Sequence, residues 1–350
     1  MPQRHVLFYA LGGGLGHVTR SLALARELIK LDVESTIVSN SDRLPHVAMT
    51  LPDGVRLQLL PSETSPSQSR TFFETELNSQ PAALIVDTFP RGIGGELVGL
   101  FDSFPDTRRV LVSRTLPESY LNAFVIRAFV REQYGLILSP GGESPFERLD
   151  QCLEIPPMLL RNAAEIMNRC EARKELSCCA GRLVLLVASG RQEEVDLMVW
   201  LWRELKSRQT DDQIEFKIAA AGDVKNVDCV EHWPLLEVLP AADLVVGGAG
   251  YHLHQETTAC RVNRLLFPFA RKYDDQPLRA DVSETAMLDA IGSTGGLKPF
   301  LLHRTIQAIQ SLDEFKFETA VNDPEMFTVP DFVNGASIAS QRIVNLLESN

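Results

Sequence analysis

The chain has no surplus of positive charge, no apolar run long enough to cross a membrane, and no cysteines at paired ligand spacing. Its 34 lysines and arginines are outnumbered by 46 acidic residues, for a net charge of -12, which argues against a nucleic-acid partner because such binding rests on neutralising phosphates. No stretch approaches the roughly 20 apolar residues of a membrane helix, and the N-terminal MPQRHVLFYALGGG turns to glycine before a signal-type apolar core could finish. A soluble, cytoplasmic protein is the expectation. Cys152, Cys170, Cys178, Cys179, Cys229 and Cys260 show neither C-x-x-C ligand pairs nor the density of a secreted scaffold. They read as reduced thiols, mostly core fillers, with a redox role left open only for the adjacent Cys178 and Cys179. Short-period repeats and low-complexity tracts are also missing. What is present is 350 residues at 45% hydrophobic content, enough for two packed cores.

Short apolar runs alternate with helical patterns. Residues 5–10, 35–39, 55–60, 83–87, 109–113 and 135–138 read as buried strands of a parallel α/β domain. The pattern breaks at Ile155-Pro156-Pro157 and passes through a polar helical stretch around residues 162–175. From Arg182 it restarts, with strands at 182–190, 214–220, 243–247 and 263–269. The expectation is α/β architecture with two Rossmann-like, doubly wound domains facing across a cleft. The first spans 1–158 and the second 182–350, with a linker over 159–181 and a final amphipathic helix near 335–347 that can pack back on the first domain. Ligands in such folds sit at the carboxyl ends of the strands.

The first strand runs into Leu11-Gly12-Gly13-Gly14-Leu15-Gly16-His17 and then a helix whose apolar stripe includes Leu22, Ala25 and Ile29. The dinucleotide fingerprint G-x-G-x-x-G fails, because its third glycine position counted from Gly12 is His17, and no Walker lysine follows. A nicotinamide dehydrogenase is thereby disfavoured. Consecutive glycines let a ligand or another backbone approach closely, and an imidazole at the helix start can take a proton from a hydroxyl near neutral pH. The plainer reading is that His17 only caps or packs. Asp87 ends the apolar strand ALIVD, ahead of a second glycine-bearing turn through Gly92, Gly94 and Gly95. Its carboxylate can orient the histidine as in any base-plus-orienter pair, or simply cap the next helix.

In the second half, Asp243 to Gln276 sets out in order an apolar strand, glycines, a helix start, Glu256 six residues beyond Gly250, a strand ending at Pro268-Phe269, and Asp275-Gln276 on a polar loop. Bare amides at a helix N-terminus suit a diphosphate. A carboxylate one or two turns into that helix can accept hydrogen bonds from both ribose hydroxyls, and a loop carboxylate plus amide can do the same for a sugar.

These segments, GGGLGHVTRSLALARELIK together with GGAGYHLHQE and PFARKYDDQ, resemble the GT-B glycosyltransferases, in particular the family 28 N-acetylglucosaminyltransferase that completes lipid II and the UDP-glycosyltransferases. The resemblance implies a general base at His17 supported by Asp87, donor ribose on Glu256 and sugar hydroxyls on Asp275 and Gln276. It also implies a donor surface including Ser189, Gly190, Trp233, Leu235, Gly248, Gly250, Tyr251 and His252. Gly12, Gly13, Gly14, Gly16 and Arg114 would line the acceptor side, the glycines as an anion cradle in the lipid II enzymes. The chain departs from the family at Gly248, where many relatives carry a phosphate-holding histidine, and at Arg261 and Asn263, where small residues and proline are common.

Other constellations have plainer readings. His252-x-His254-x-Glu256 is poor metal geometry, since residues two apart on a helix diverge. Trp233 suits a nucleobase wall or a core. Residues 120–134, with Arg127 and Arg131, form an apolar helix that suits packing better than firm membrane contact, because two basic groups bind anionic lipid weakly. Arg114 can meet an acidic acceptor or solvent. The functional expectation is an inverting, metal-independent glycosyltransferase that uses a nucleotide sugar as substrate, with a UDP-sugar as the expected donor. It needs no cofactor, and its acceptor is a small molecule or lipid-linked. The alternatives are an epimerase or hydrolase of the same fold, and a silent sugar-nucleotide-binding subunit.

Overall fold

The computed structural model describes residues 4–12, 14–41, 51–142, 144–209, 211–220, 224, 227, 229–293, 296–315 and 329–349. The chain divides into two compact units, Met1–Leu160 with Val333–Asn350, and Arg161–Phe332.

The first unit is built on a seven-stranded sheet of β1 (Arg4–Tyr9), β2 (Val33–Ser39), β3 (Val55–Leu59), β4 (Ala83–Asp87), β5 (Arg108–Val112), β6 (Leu136–Pro140) and β7 (Cys152–Ile155). The spatial order is β3-β2-β1-β4-β5-β6-β7 and every pairing is parallel. Central strands such as ALIVD are buried throughout, which is why they read as unbroken apolar runs. Strand order reverses between β1 and β4, so the segments leaving their carboxyl ends part there and open a binding position. Helix α1 (Gly16–Ile29) follows β1, and α2 (Pro66–Leu77) precedes β4 behind a Ser65 cap. Strand β7 is the element that the sequence pattern misses. Its four residues CLEI alternate poorly and lie at the sheet edge, half exposed, with only Ile155 buried.

The long apolar helix expected over 120–134 is two helices, α3 (Glu118–Ala123) and α4 (Ile126–Gln133). They part at Val125, which takes a left-handed φ of 51° and is exposed together with Phe124. A β-branched residue rarely adopts that backbone. Arg127 pairs with Glu118 at 2.6 Å across the break.

In the second unit β8 (Arg182–Ala188), β9 (Ile214–Ala220), β10 (Leu244–Gly248) and β11 (Arg264–Phe267) form a parallel sheet in the order β11-β10-β8-β9. Its switch point is between β8 and β10. Among its described residues are the helices α5 (Arg169–Glu175), α6 (Gln192–Arg208), α7 (Tyr251–Ala259), α8 (Glu284–Ser293) and α9 (Leu297–Phe315). Residues expected as a linker are integral here. Arg169 grips both oxygens of buried Asp243 at 2.9 Å, and Asp243 also accepts the Leu183 N–H at 2.9 Å. Ala172 and Leu176 of this segment are buried against Val238 and Ala241.

The chain's last helix, α10 (Gly335–Glu348), belongs to the first unit and packs on α1. Asn334 fixes its start, its Oδ1 accepting the Ala336 and Leu159 N–H groups at 3.0 Å while Nδ2 donates to the Leu159 carbonyl at 2.8 Å. A Cβ at Gly335 would overlap the Pro156 carbonyl oxygen, so only glycine permits this approach.

Candidate functional sites

At the switch point of the first unit, β4 ends in Asp87 and α1 begins one residue before His17. The two meet through His17 Nδ1 and Asp87 Oδ2 at 2.5 Å. Asp87 is almost wholly buried and His17 keeps 15% of its side chain exposed, so the imidazole retains access while its partner does not. A third residue completes the group. Arg20, one helical turn past His17, donates Nε to Asp87 Oδ1 at 2.8 Å and Nη2 to Oδ2 at 2.7 Å. Thr88 Oγ1 donates to Oδ2 at 3.1 Å. Burial alone would raise the Asp87 pKa, but the Arg20 guanidinium and the His17 contact hold it far below the usual carboxylate range. Asp87 is therefore a fixed anion that holds the imidazole with Nδ1–H toward it and leaves Nε2 to accept a proton.

The surrounding backbone is shaped to this group. Thr88 takes a left-handed φ of 68° immediately after the strand, a costly conformation for a β-branched residue. Gly12 has a φ of 155° and lies against the imidazole, and Asn40 at the end of β2 accepts its N–H at 2.9 Å. Gly14 is also left-handed and Gly16 opens the helix, whereas Gly13 lies outside the described residues. The Phe89 ring centroid is 5.6 Å from that of His17. Beyond it, the glycine-bearing turn is held by Tyr9, whose hydroxyl donates to Glu96 at 2.5 Å and accepts the Ile93 N–H at 2.8 Å. Arg114 follows β5, half buried.

In the second unit β10 ends in Gly247-Gly248, and Gly250 is the N-cap of α7 with extended backbone and no capping side chain. A Cβ at Gly250 would meet nothing within 4 Å, so the helix start is uncovered there. Tyr251 is buried and His252 half buried in the first turn. Gly248 is explained by its neighbour, because a Cβ there would lie 3.0 Å from the Phe269 ring. The phenyl group takes the room that a histidine would need. The carboxyl of Glu256, on the second turn, has no hydrogen-bond partner among the described residues, and burial pushes its pKa up to about 8. A carboxyl in that state gains from any hydroxyl donor brought to it.

Trp233 is half buried with its indole Nε1 buried and unpartnered among the described residues, beside a cis bond to Pro234. Leu235 opens a 3-10 helix (Leu235–Ala241) that packs on α7. Asp275 is exposed, whereas Gln276 is buried with its Oε1 accepting the Phe269 N–H at 2.9 Å. The two therefore differ in what they can offer a ligand. Ser189 and Gly190 are exposed beyond β8. The charged run after them is accounted for by Glu194, which forms an ion-paired fork with Arg271 from the 269–276 loop. Arg261 ends α7 with a left-handed φ of 53°, and Asn263 donates to the Asp243 carbonyl at 3.1 Å, so both departures from the family lie at the opposite end of the helix from Gly250. Among the described residues no three His, Cys, Asp or Glu side chains converge as a metal-type group.

Arg20, Asn40, Tyr9 and Glu96 are the site residues that sequence reasoning missed. Only Arg20 carried a signal, as a cation three residues past His17 and so on the same face of the helix VTRSLALARELI.

No protein-family model matches the chain, and no curated protein matches it in sequence. Solved structures do match its fold. TcCGT1 in complex with UDP aligns with a TM-score of 0.60 at 12% identity, covering 99% of each chain. The glycotransferase of kitacinnamycin aligns at 0.55 and 16%, again over 99% of each. UDP-GlcNAc 2-epimerase from Neisseria meningitidis bound to UDP-GlcNAc aligns at 0.58 and 12%, covering 99% of this chain and 100% of that one. The chain has the GT-B fold, with two Rossmann-like units.

Proposed function

We propose that this protein is an inverting, metal-independent glycosyltransferase that moves a sugar from a nucleotide sugar, most simply a UDP-sugar, to an acceptor hydroxyl. The observation that carries the reading is the His17–Asp87 contact at a strand-order reversal, with the base accessible and its partner buried. His17 Nε2 takes the proton of the acceptor hydroxyl as that oxygen bonds to the anomeric carbon. The bond from that carbon to the diphosphate oxygen breaks, and the nucleoside diphosphate leaves with the electron pair. A single displacement inverts the anomeric centre. The α7 start at Gly250 to His252 supplies oriented amides and the positive end of a helix dipole where leaving-group charge grows. Glu256 receives the ribose hydroxyls, Trp233 and Leu235 flank the base, and Asp275 and Gln276 meet the sugar. Solved structures with this fold include complexes with UDP and with thymidine diphosphate, which supports a nucleotide-sugar donor.

The test is incubation of the purified protein with UDP-, dTDP- and GDP-sugars, with and without an acceptor panel, following nucleotide release and the anomeric configuration of product. His17→Ala should lower turnover on the order of a hundredfold or more with donor affinity kept. Unchanged turnover removes the base assignment. The epimerases of this fold support a second reading, in which the nucleotide sugar is consumed with no acceptor present. Donor alone, followed by NMR, separates the two.

A further inference from the structure

We infer that Arg20 is a positioning residue that acts on His17 through their shared carboxylate, holding Asp87 in place and balancing its charge against the imidazole. The inference rests on the reading of His17 as the base.

A buried aspartate beside an imidazole has two effects that pull apart. It fixes the ring tautomer, which a base requires, and its negative charge favours the imidazolium, which a base must avoid. An unshared carboxylate at 2.5 Å in a site this enclosed would strongly favour the charged imidazolium over the free base. The structure separates the two effects. Arg20 lays its planar fork along Asp87, Nε on Oδ1 and Nη2 on Oδ2, so the carboxylate keeps its orientation while its charge is balanced. Oδ2 is then shared by His17, Arg20 and Thr88. The guanidinium is 1% exposed, so solvent screens this balance little.

The charged groups that bear on the imidazole are Asp87 from β4 and, behind it, Arg20 from α1. Among the described residues, its other neighbours are Gly12 from the loop after β1, held by the amide of Asn40 at the end of β2, and the Phe89 ring past β4. A lysine could not reproduce the arrangement, since a point cation cannot engage both oxygens in one plane.

The experiment is an NMR titration of the His17 ring in protein carrying labelled histidine, with the signal assigned by its loss in His17→Gln. It compares the wild type with Arg20→Gln. Removing the cation should raise the His17 midpoint by about one to two pH units. The acid limb of kcat/KM should move up by the same amount, so activity at pH 7 falls roughly tenfold per unit and returns as pH rises. Loss of a merely structural contact would lower activity at every pH. Should the glutamine variant not fold, Arg20→Lys carries the test, with a midpoint raised by a smaller amount, on the order of half a unit. A midpoint equal to or below the wild type in the folded variant overturns the inference. The titration needs no substrate, so it stands apart from the functional reading. If the midpoint rises while His17→Ala still turns over normally, Arg20 tunes the ring and His17 is not the base.

Discussion

The imidazole of His17 occupies the space that a side chain at Gly12 would need, with Nε2 and Cδ2 both in the path of a Cβ. Gly12 is therefore one wall of the imidazole's position. Gly12→Ala should displace the ring from Asp87, and its φ of 155° adds a backbone penalty on the order of 1 kcal/mol or more. The expected result is a loss of turnover approaching that of His17→Ala, with nucleotide-sugar affinity retained because the residues proposed to hold the donor lie in the other unit. Turnover and calorimetric donor affinity, measured side by side, check it. Full activity in the alanine variant would show that the ring does not need this place.

Arg20 and Asp87 are 1% and 2% exposed, so neither can recover hydration if the other is lost. Asp87→Asn leaves a buried guanidinium without its counter-charge and should cost about 3–5 kcal/mol. Replacing both, as Arg20→Met with Asp87→Leu, removes both charges and should cost less than the sum of the single changes. Denaturant unfolding of the four proteins gives the coupling, expected on the order of 2 kcal/mol or more. Additive losses would mean that the fork contributes orientation only.

Much of this was legible in the sequence, for reasons that differ by element. Buried parallel strands such as ALIVD and RLVLLVA announce themselves because both faces are covered. His17 and Asp87 were found because a strand end followed by a glycine turn or helix start is where such folds expose chemistry. Arg20 was not, since an arginine in a helix is usually solvated, and only the depth of Asp87 makes it a buried partner. Strand β7 was too short and too exposed to show a pattern. The break at Val125 follows no glycine or proline, so nothing local marks it. The residues read as a linker turned out to be tied to Asp243 by Arg169 and Arg173, pairs more than 60 residues apart.

Phe269 stands over Gly248, which gives a direct test of why this chain lacks a side chain there. Gly248→His alone should be destabilising by about 1–3 kcal/mol through overpacking. Pairing it with Phe269→Ala opens room for the ring and should recover part of that loss. Thermal unfolding of the single and double variants decides it. A fully stable single variant would mean that the phenyl group moves aside at little cost.

Glu256 supplies a prediction in which pH and ligand act on one proton. Its pKa is raised by burial from 4.5 to about 8, so between those values the folded protein holds a proton that the unfolded chain has lost. Stability from this group is fully present below about pH 4.5 and is lost as pH rises through about 8, a difference of a few kcal/mol. Relative to Glu256→Gln, the wild type should therefore lose stability steadily across that window, as read from denaturant midpoints at pH 5, 6.5 and 8. Ribose hydroxyls donating to the carboxylate would favour its ionised form, so a nucleotide sugar binding at pH 7 should release close to one proton. Calorimetry in two buffers of different ionisation enthalpy counts it, and a sugar nucleotide is the right probe because its diphosphate diester does not itself titrate there. The glutamine variant should bind more weakly and release none. Equal proton release from both proteins would take the ribose away from Glu256.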